Sequence, residues 1–166
     1  SWFSRARREI GPIGFIGLVL LAGGLRSAEA ASRDSAATIV LFNTNDPDSR
    51  NLAQYYAGRR NIPPSQVIGL GCPLREEIQR GDYEKTIAAP LRKLLRTRGW
   101  WTLTRNPAGQ QVVTASTIRY VAIMRGMPLK IAPDPTIPPA SFVSGLPDII
   151  DARNDASVDS ELTTLG

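Results

Sequence analysis

The stretch Thr38–Arg60, TIVLFNTNDPDSRNLAQYYAGRR, limits what this chain can fold into more than any other. Thr38–Phe42 runs without a polar interruption and is rich in β-branched side chains, which suits a strand buried on both faces. Asn43–Asp48 supplies turn chemistry, and Asp46 or Asp48 can cap a helix that tolerates Pro47 in its first turn. Leu52, Tyr55 and Tyr56 recur at helical spacing and predict the inward face of that helix. Arg59 and Arg60 suit its C-terminal dipole end, Asn61 suits a left-handed cap, and Pro63-Pro64 prevents continuation. A buried strand that empties into a polar loop and a helix N-terminus is the repeating unit of open α/β sheets. Ligands bind where such strands end.

The rest of the chain repeats this rhythm with one interruption. Val67–Leu70 reads as a second strand, and Leu74–Arg80 as irregular or a single turn. Asp82 is placed to cap a helix whose apolar positions are Ile87, Leu91, Leu94 and Leu95, with Gly99 as the stop. Pro90 should kink or split that helix, because it lacks an N–H and clashes with the preceding turn. Thr102–Arg105 and Gln111–Thr114 flank Asn106-Pro107-Ala108-Gly109, a hairpin or a loose excursion. Trp100 and Trp101 read as packing residues at the helix end.

Ile118–Met124 is the third strand and leads into Arg125-Gly126-Met127-Pro128, where Gly126 and Pro128 shape the loop. Strand and helix in alternation predict an α/β fold. The expected form is a three-layer α/β/α arrangement with a short parallel sheet in the order 2-1-3 and right-handed crossovers. Residues 132–147, with prolines at 133, 135, 138, 139 and 147, predict a long loop over the strand ends. Ala156–Leu165 begins another helix, with Ser157 or Asp159 near its N-terminus. The chain opens on Ser and closes inside this helix, so residues 31–166 are expected to be the N-terminal part of a larger domain.

The N-terminus reads as a targeting segment. Arg5, Arg7 and Arg8 precede the apolar run Ile13–Leu25 and then Ala28-Glu29-Ala30, the order of a secretory signal peptide cleaved after Ala30. A retained membrane anchor is the alternative, and the membrane is implied only through this segment if it stays uncleaved. Arg7-Arg8 also allows a twin-arginine route. The segment holds four of the 20 basic and two of the 15 acidic residues, which leaves a net charge of +3. No basic stripe with interleaved aromatics appears, so nucleic acid is not an expected partner.

Several chemistries are disfavoured by residue inventory. No glycine-rich phosphate loop follows a strand. The chain has no His and a single cysteine, Cys72, so neither a zinc site nor a Cys-His or Ser-His triad can be assembled from these residues. No cofactor is implied. A polar set remains: Asn43, Asn45, Asp46, Ser49, Arg125 and Asp159 could converge at the strand ends. Asp46 and Asp159 could bind a cation or an amine there, and Arg125 a carboxylate. Equally, Asn43 and Asp46 could serve only to turn and cap the loop, Ser49 to satisfy backbone donors, and Arg125 to pair with an aspartate.

Four separated motifs carry a family resemblance. They are Asn43–Ser49 with Leu52-Ala53-x-Tyr55-Tyr56; Arg60-x-Ile62-Pro63; Arg119-Tyr120-x-Ala122-x-Met124-x-Gly126-x-Pro128; and Ala156-Ser157-Val158-Asp159-Ser160-Glu161-Leu162. Together they resemble an uncharacterised exported bacterial family found alongside the exosortase/PEP-CTERM protein-sorting system, whose members are longer than this chain. The resemblance implies export and a link to that sorting system, not a reaction. In architecture alone the pattern is similar to the caspase-like fold of gingipain-type peptidases. That fold carries a His and a Cys at later strand ends, and no such pair can be carried over to a chain without His. Two functions follow as expectations. One is an exported, peptidase-like hydrolase whose catalytic residues lie beyond residue 166. The other is a non-catalytic periplasmic or surface module that binds a peptide or glycan.

Overall fold

The structure is a computed structural model that describes residues 32–136 and 154–165. The expected targeting segment with its expected cleavage site, and most of the proline-rich stretch, lie outside those residues. The chain divides into two units at Arg33/Asp34, and the second unit, Asp34–Gly166, holds all the elements below. In order these are β1 (Thr38–Asn43), α1 (Pro47–Arg60), a 3-10 turn (Pro64–Gln66), β2 (Val67–Leu70), β3 (Glu77–Ile78) and α2 (Arg80–Tyr83). A π-helical turn (Glu84–Ala88), α3 (Ala89–Thr97), β4 (Trp101–Arg105), β5 (Gln111–Ser116) and β6 (Tyr120–Ile123) follow. β7 (Lys130–Ile131), β8 (Ala156–Ser157) and α4 (Val158–Thr163) complete the set.

The main sheet is parallel, three-stranded and ordered β2-β1-β6, which is the expected 2-1-3 arrangement. Every residue of β1 is buried, as its unbroken apolar run requires. Alternation along β1 separates two cores. Val40 and Phe42 pack with Ala53, Ala57, Ile62 and Met124 on the α1 face. Ile39 and Leu41 pack with Ile87, Leu91, Leu95, Val158 and Leu162 on the opposite face, beneath α3 and α4. Helices therefore cover both faces. At the start of β1, the Gln66 amide donates to Ala36 O (2.9 Å) and Thr38 O (2.7 Å), tying the β2 entry to the strand.

Two local expectations need correction. The inward face of α1 is Ser49, Ala53 and Ala57, whereas Leu52 and Tyr55 are 42% and 65% exposed. Alanines bring the helix backbone close to the sheet, which rotates the apolar stripe so that only Tyr56 of the three predicted residues packs on the core. The second long helix starts at Arg80, with Gln79 rather than Asp82 at its cap position. Just ahead of Pro90 the α-helical pattern is interrupted: the Ala89 N–H bonds back to Glu84 O in a wide π turn, and regular α-helix resumes at Ala89. Such a turn accommodates the ring and the missing donor.

A second small sheet, β3-β7-β8, was not anticipated. Its two-residue strands are too short to leave a period-2 signature, yet Ile78 and Ile131 are fully buried in the α3-side core. The expected hairpin is present as β4 and β5, and Trp100 and Trp101 pack at the helix end. Among the described residues no helix is long and apolar enough to cross a membrane.

Candidate functional site

The C-terminal ends of β1, β2 and β6 meet at one side chain. Asn43, the last residue of β1, is fully buried. Its Nδ2 donates to Cys72 O (3.0 Å) and to Gly126 O (2.9 Å). Its Oδ1 accepts from Asn45 N (3.0 Å) and from Cys72 N (3.4 Å). Both protons and both lone pairs of the amide are thus used. The Asn43 backbone N–H donates to Ser49 Oγ (3.1 Å), which anchors α1 to the strand end. Asn45 Nδ2 adds a second bond to Cys72 O (3.0 Å), and Thr44 N reaches Leu70 O (2.9 Å). Three loops distant in sequence are therefore joined through one buried amide.

Asp46 is the helix cap: its backbone is extended and its Oδ1 accepts from Asp48 N (3.0 Å). Its carboxylate also lies against the loop after β6. A Cβ on Gly126 would sit 3.0 Å from Asp46 Cγ and overlap its Oδ2, and Gly126 has φ +93°. Only glycine suits both the backbone angle and this close approach. Pro128, two residues on, is fully buried. Gly126 and Pro128 thus lie in the loop that carries Arg125.

The structure brings Asn43, Asn45, Asp46, Ser49 and Gly126 together, and it separates them by accessibility. Asn43 and Ser49 are spent on internal bonds and shielded from solvent. Arg125 is exposed, and its side chain has no hydrogen bond or ion pair among the described residues. Its backbone is held on both sides by Met124 N to Leu41 O (2.9 Å) and by the bond from Asn43 to Gly126 O. Asp159 belongs to another feature. It rims a groove of about 650 Å³ lined by Ile39, Leu95, Trp101, Val121, Ile123 and Leu162, among others. None of Asn43, Asn45, Asp46, Ser49 or Arg125 lines that groove.

Cys72 lies at this edge but its thiol is not presented to it. The residue is 1% exposed, its Sγ is 3.6 Å from Met127 Sδ, and burial pushes its pKa up to about 11. A thiol held neutral in this way is a structural group, not a nucleophile. What Cys72 contributes is its backbone, which meets Asn43 and Asn45.

A polar network on the α3 side escaped the sequence reading. Arg80 Nη2 bonds Glu161 Oε1 (3.2 Å) and Asn154 O (3.3 Å). Asn154 in turn pairs reciprocally with the Asp134 backbone, at 2.9 Å and 2.6 Å. Bonds from Thr136 to the Asp134 carboxylate hold it below the usual range. Beside Arg80, the Tyr83 hydroxyl is buried without a partner. Burial first, and then the Glu161 charge, push its pKa up to about 12. No spacing rule links residues 80, 134, 154 and 161, so only the fold could reveal the network.

No family model, curated protein or solved structure matches this chain. The exported-family likeness is therefore carried by the four sequence motifs alone.

Proposed function

We propose that this is an exported α/β domain whose strand edge binds a ligand bearing a carboxylate, with Arg125 as the anchor. The observation that supports this reading is Arg125 itself, an exposed guanidinium with no hydrogen bond or ion pair among the described residues, on a loop whose backbone is held by hydrogen bonds on both sides. A guanidinium offers two parallel N–H donors to a carboxylate, and the backbone that carries this one is already fixed. The shared chemistry covers a peptide, through its C-terminus or an acidic side chain, and an acidic glycan. Export is supported by the basic, apolar, small-x-small order of residues 5–30, and the link to PEP-CTERM sorting by the four motifs.

A binding role fits the site better than catalysis by these residues. Asn43 has no free valence for a substrate, and the Cys72 thiol is buried and neutral. A peptidase-like hydrolase would use the same wall but take its nucleophile and base from outside the described residues. The two readings separate on incubation with acidic peptides: cleavage products seen by mass spectrometry favour the hydrolase, and saturable binding without cleavage favours the module.

The test of the anchor is Arg125→Ala, assayed by calorimetry against a tri-aspartate peptide and a trigalacturonate. Loss of one charge-assisted bidentate contact should weaken binding roughly ten- to hundredfold. The melting temperature should stay unchanged, since the side chain makes no hydrogen bond or ion pair among the described residues. Unaltered binding, or a large loss of stability, would overturn the assignment.

A further inference from the structure

We propose that the outer face of α3 is a docking surface for an anionic bilayer, recognised through its lipid phosphates. Positive charge in this molecule is concentrated on one segment. Residues 80–98, from α2 through the π turn and α3, hold six basic and two acidic residues, whereas the other described residues balance at nine of each. The two acidic side chains are spent internally, Asp82 on Arg75 and Glu84 on Arg92. Lys85, Lys93 and Arg96 are exposed and make no hydrogen bond or ion pair among the described residues.

Helical geometry puts these cations on a single surface. Leu91 and Leu95 are the buried residues of α3 and pack in the core. At about 100° per residue, Ala89, Lys93 and Arg96 lie on the side directly away from them. Lys85 precedes Ala89 by one turn, so the cations extend along about 16 Å of helix. Arg92, Lys93 and Arg96 surround a shallow groove of about 340 Å³, completed by Ala89 and Thr97, and its walls are apolar. Long basic side chains make such walls by lying along the surface with their alkyl stems inward and their charged ends in water.

Charge and wall chemistry together select the partner. Free cations set around alkyl walls complement an interface in which phosphate lies beside glycerol and acyl carbon. Nucleic acid is matched less well, because single strands are held by bases stacked on aromatic rings between the cations. No ring is free for that here: Tyr83 is buried, and Trp100 is half-buried with the Arg98 guanidinium 5.0 Å from its ring centroid.

The test is co-sedimentation of the full chain with phosphatidylcholine vesicles that contain about one-third phosphatidylglycerol, against phosphatidylcholine alone. The chain should partition onto the anionic vesicles and be released by about 0.5 M salt, which screens the contact. Each cation near such a surface raises partitioning roughly fivefold, so Lys93→Gln with Arg96→Gln should lower it about twenty-five-fold. Arg59→Gln with Arg60→Gln removes the same net charge from the end of α1, which covers the other face of the sheet. That pair should lower partitioning less than about threefold. All variants keep residues 1–31, so any contribution of the N-terminal segment cancels in the ratio, and circular dichroism checks that each is folded. Equal losses in the two pairs would assign the effect to net charge and overturn the proposal. So would equal partitioning onto both vesicle types. Tighter binding of a mixed-sequence 20-mer RNA, lost with Lys93 and Arg96, would also overturn it by giving the face to nucleic acid.

Discussion

The two ends of interest in this sheet are built on opposite principles. At the C-terminal strand ends every valence of Asn43 is met inside the protein, and the side chain is fully buried. Along β6, Tyr120 and Val121 are exposed while Ala122 and Ile123 pack half-buried against the two cores, and the strand pairs only with β1 among the described residues. The polar cluster looks like a site and behaves as a fastening, whereas the apolar edge looks like ordinary strand sequence and leaves Tyr120 and Val121 open. Polarity at a strand end is therefore a poor guide to function until its hydrogen bonds have been counted. Arg125 stands beside the fastening without joining it, exposed and with no side-chain hydrogen bond or ion pair among the described residues.

The sharpest way to break this contrast is to remove the amide. Asn43→Ala strands Gly126 O and the Asn45 and Cys72 N–H groups, and leaves Cys72 O with the Asn45 amide alone. At about 1–3 kcal/mol for each unsatisfied buried group, the loss should reach about 4 kcal/mol in urea unfolding. Asn43→Asp should be nearly as damaging, because a carboxylate cannot donate to Cys72 O and Gly126 O. A cost below about 1 kcal/mol for either variant would show that the loops hold together without the amide.

Gly126→Ala comes next. It places a Cβ at φ +93° and against the Asp46 carboxylate, so about 2–4 kcal/mol should be lost. Asp46→Ala should cost about 1 kcal/mol alone as a lost cap. Combined with Gly126→Ala it should recover the part of the loss that is collision, and a double-mutant cycle separates this from the backbone strain. Strict additivity would mean that the two loops do not touch as the structure places them.

The strand-helix grammar was legible because it is written in local terms. The unbroken run of β1, the Asp46 cap, the Asn61 stop at φ 53° and the 2-1-3 order all follow from neighbouring residues and crossover handedness. The site was legible only as an address. That Asn43, Asn45, Asp46 and Ser49 gather near Gly126 could be anticipated from strand ends, but whether they were free or spent depended on the backbone positions of Cys72 and Gly126. The inward face of α1 was misread because two alanines, which carry little hydrophobic signal, let the helix approach more closely than Leu52 and Tyr55 would allow.

The thiol at the strand ends tests how dry the fastening is. Cys72 ionises near 9.0 when unfolded and only at about 11 when folded. The folded state therefore disfavours the thiolate, and the stabilisation is complete below pH 9 and lost as pH rises towards 11. By pH 10.5 the wild-type chain should have lost about 2 kcal/mol more, relative to pH 8, than Cys72→Ala. Identical pH profiles for the two would mean that water reaches the sulfur.

The smallest effect belongs to the open edge, and it is the one that best discriminates between the two regions. Tyr120 is 47% exposed, and its main partner is the Arg119 guanidinium, 5.4 Å from the ring centroid. Tyr120→Thr keeps the strand propensity and forfeits that contact, so it should cost about 0.5–1 kcal/mol. A loss above about 2 kcal/mol would mean that Tyr120 is covered in solution. The aromatic face of β6 would then already be occupied, and the contrast with Asn43 would collapse to two buried regions of different polarity.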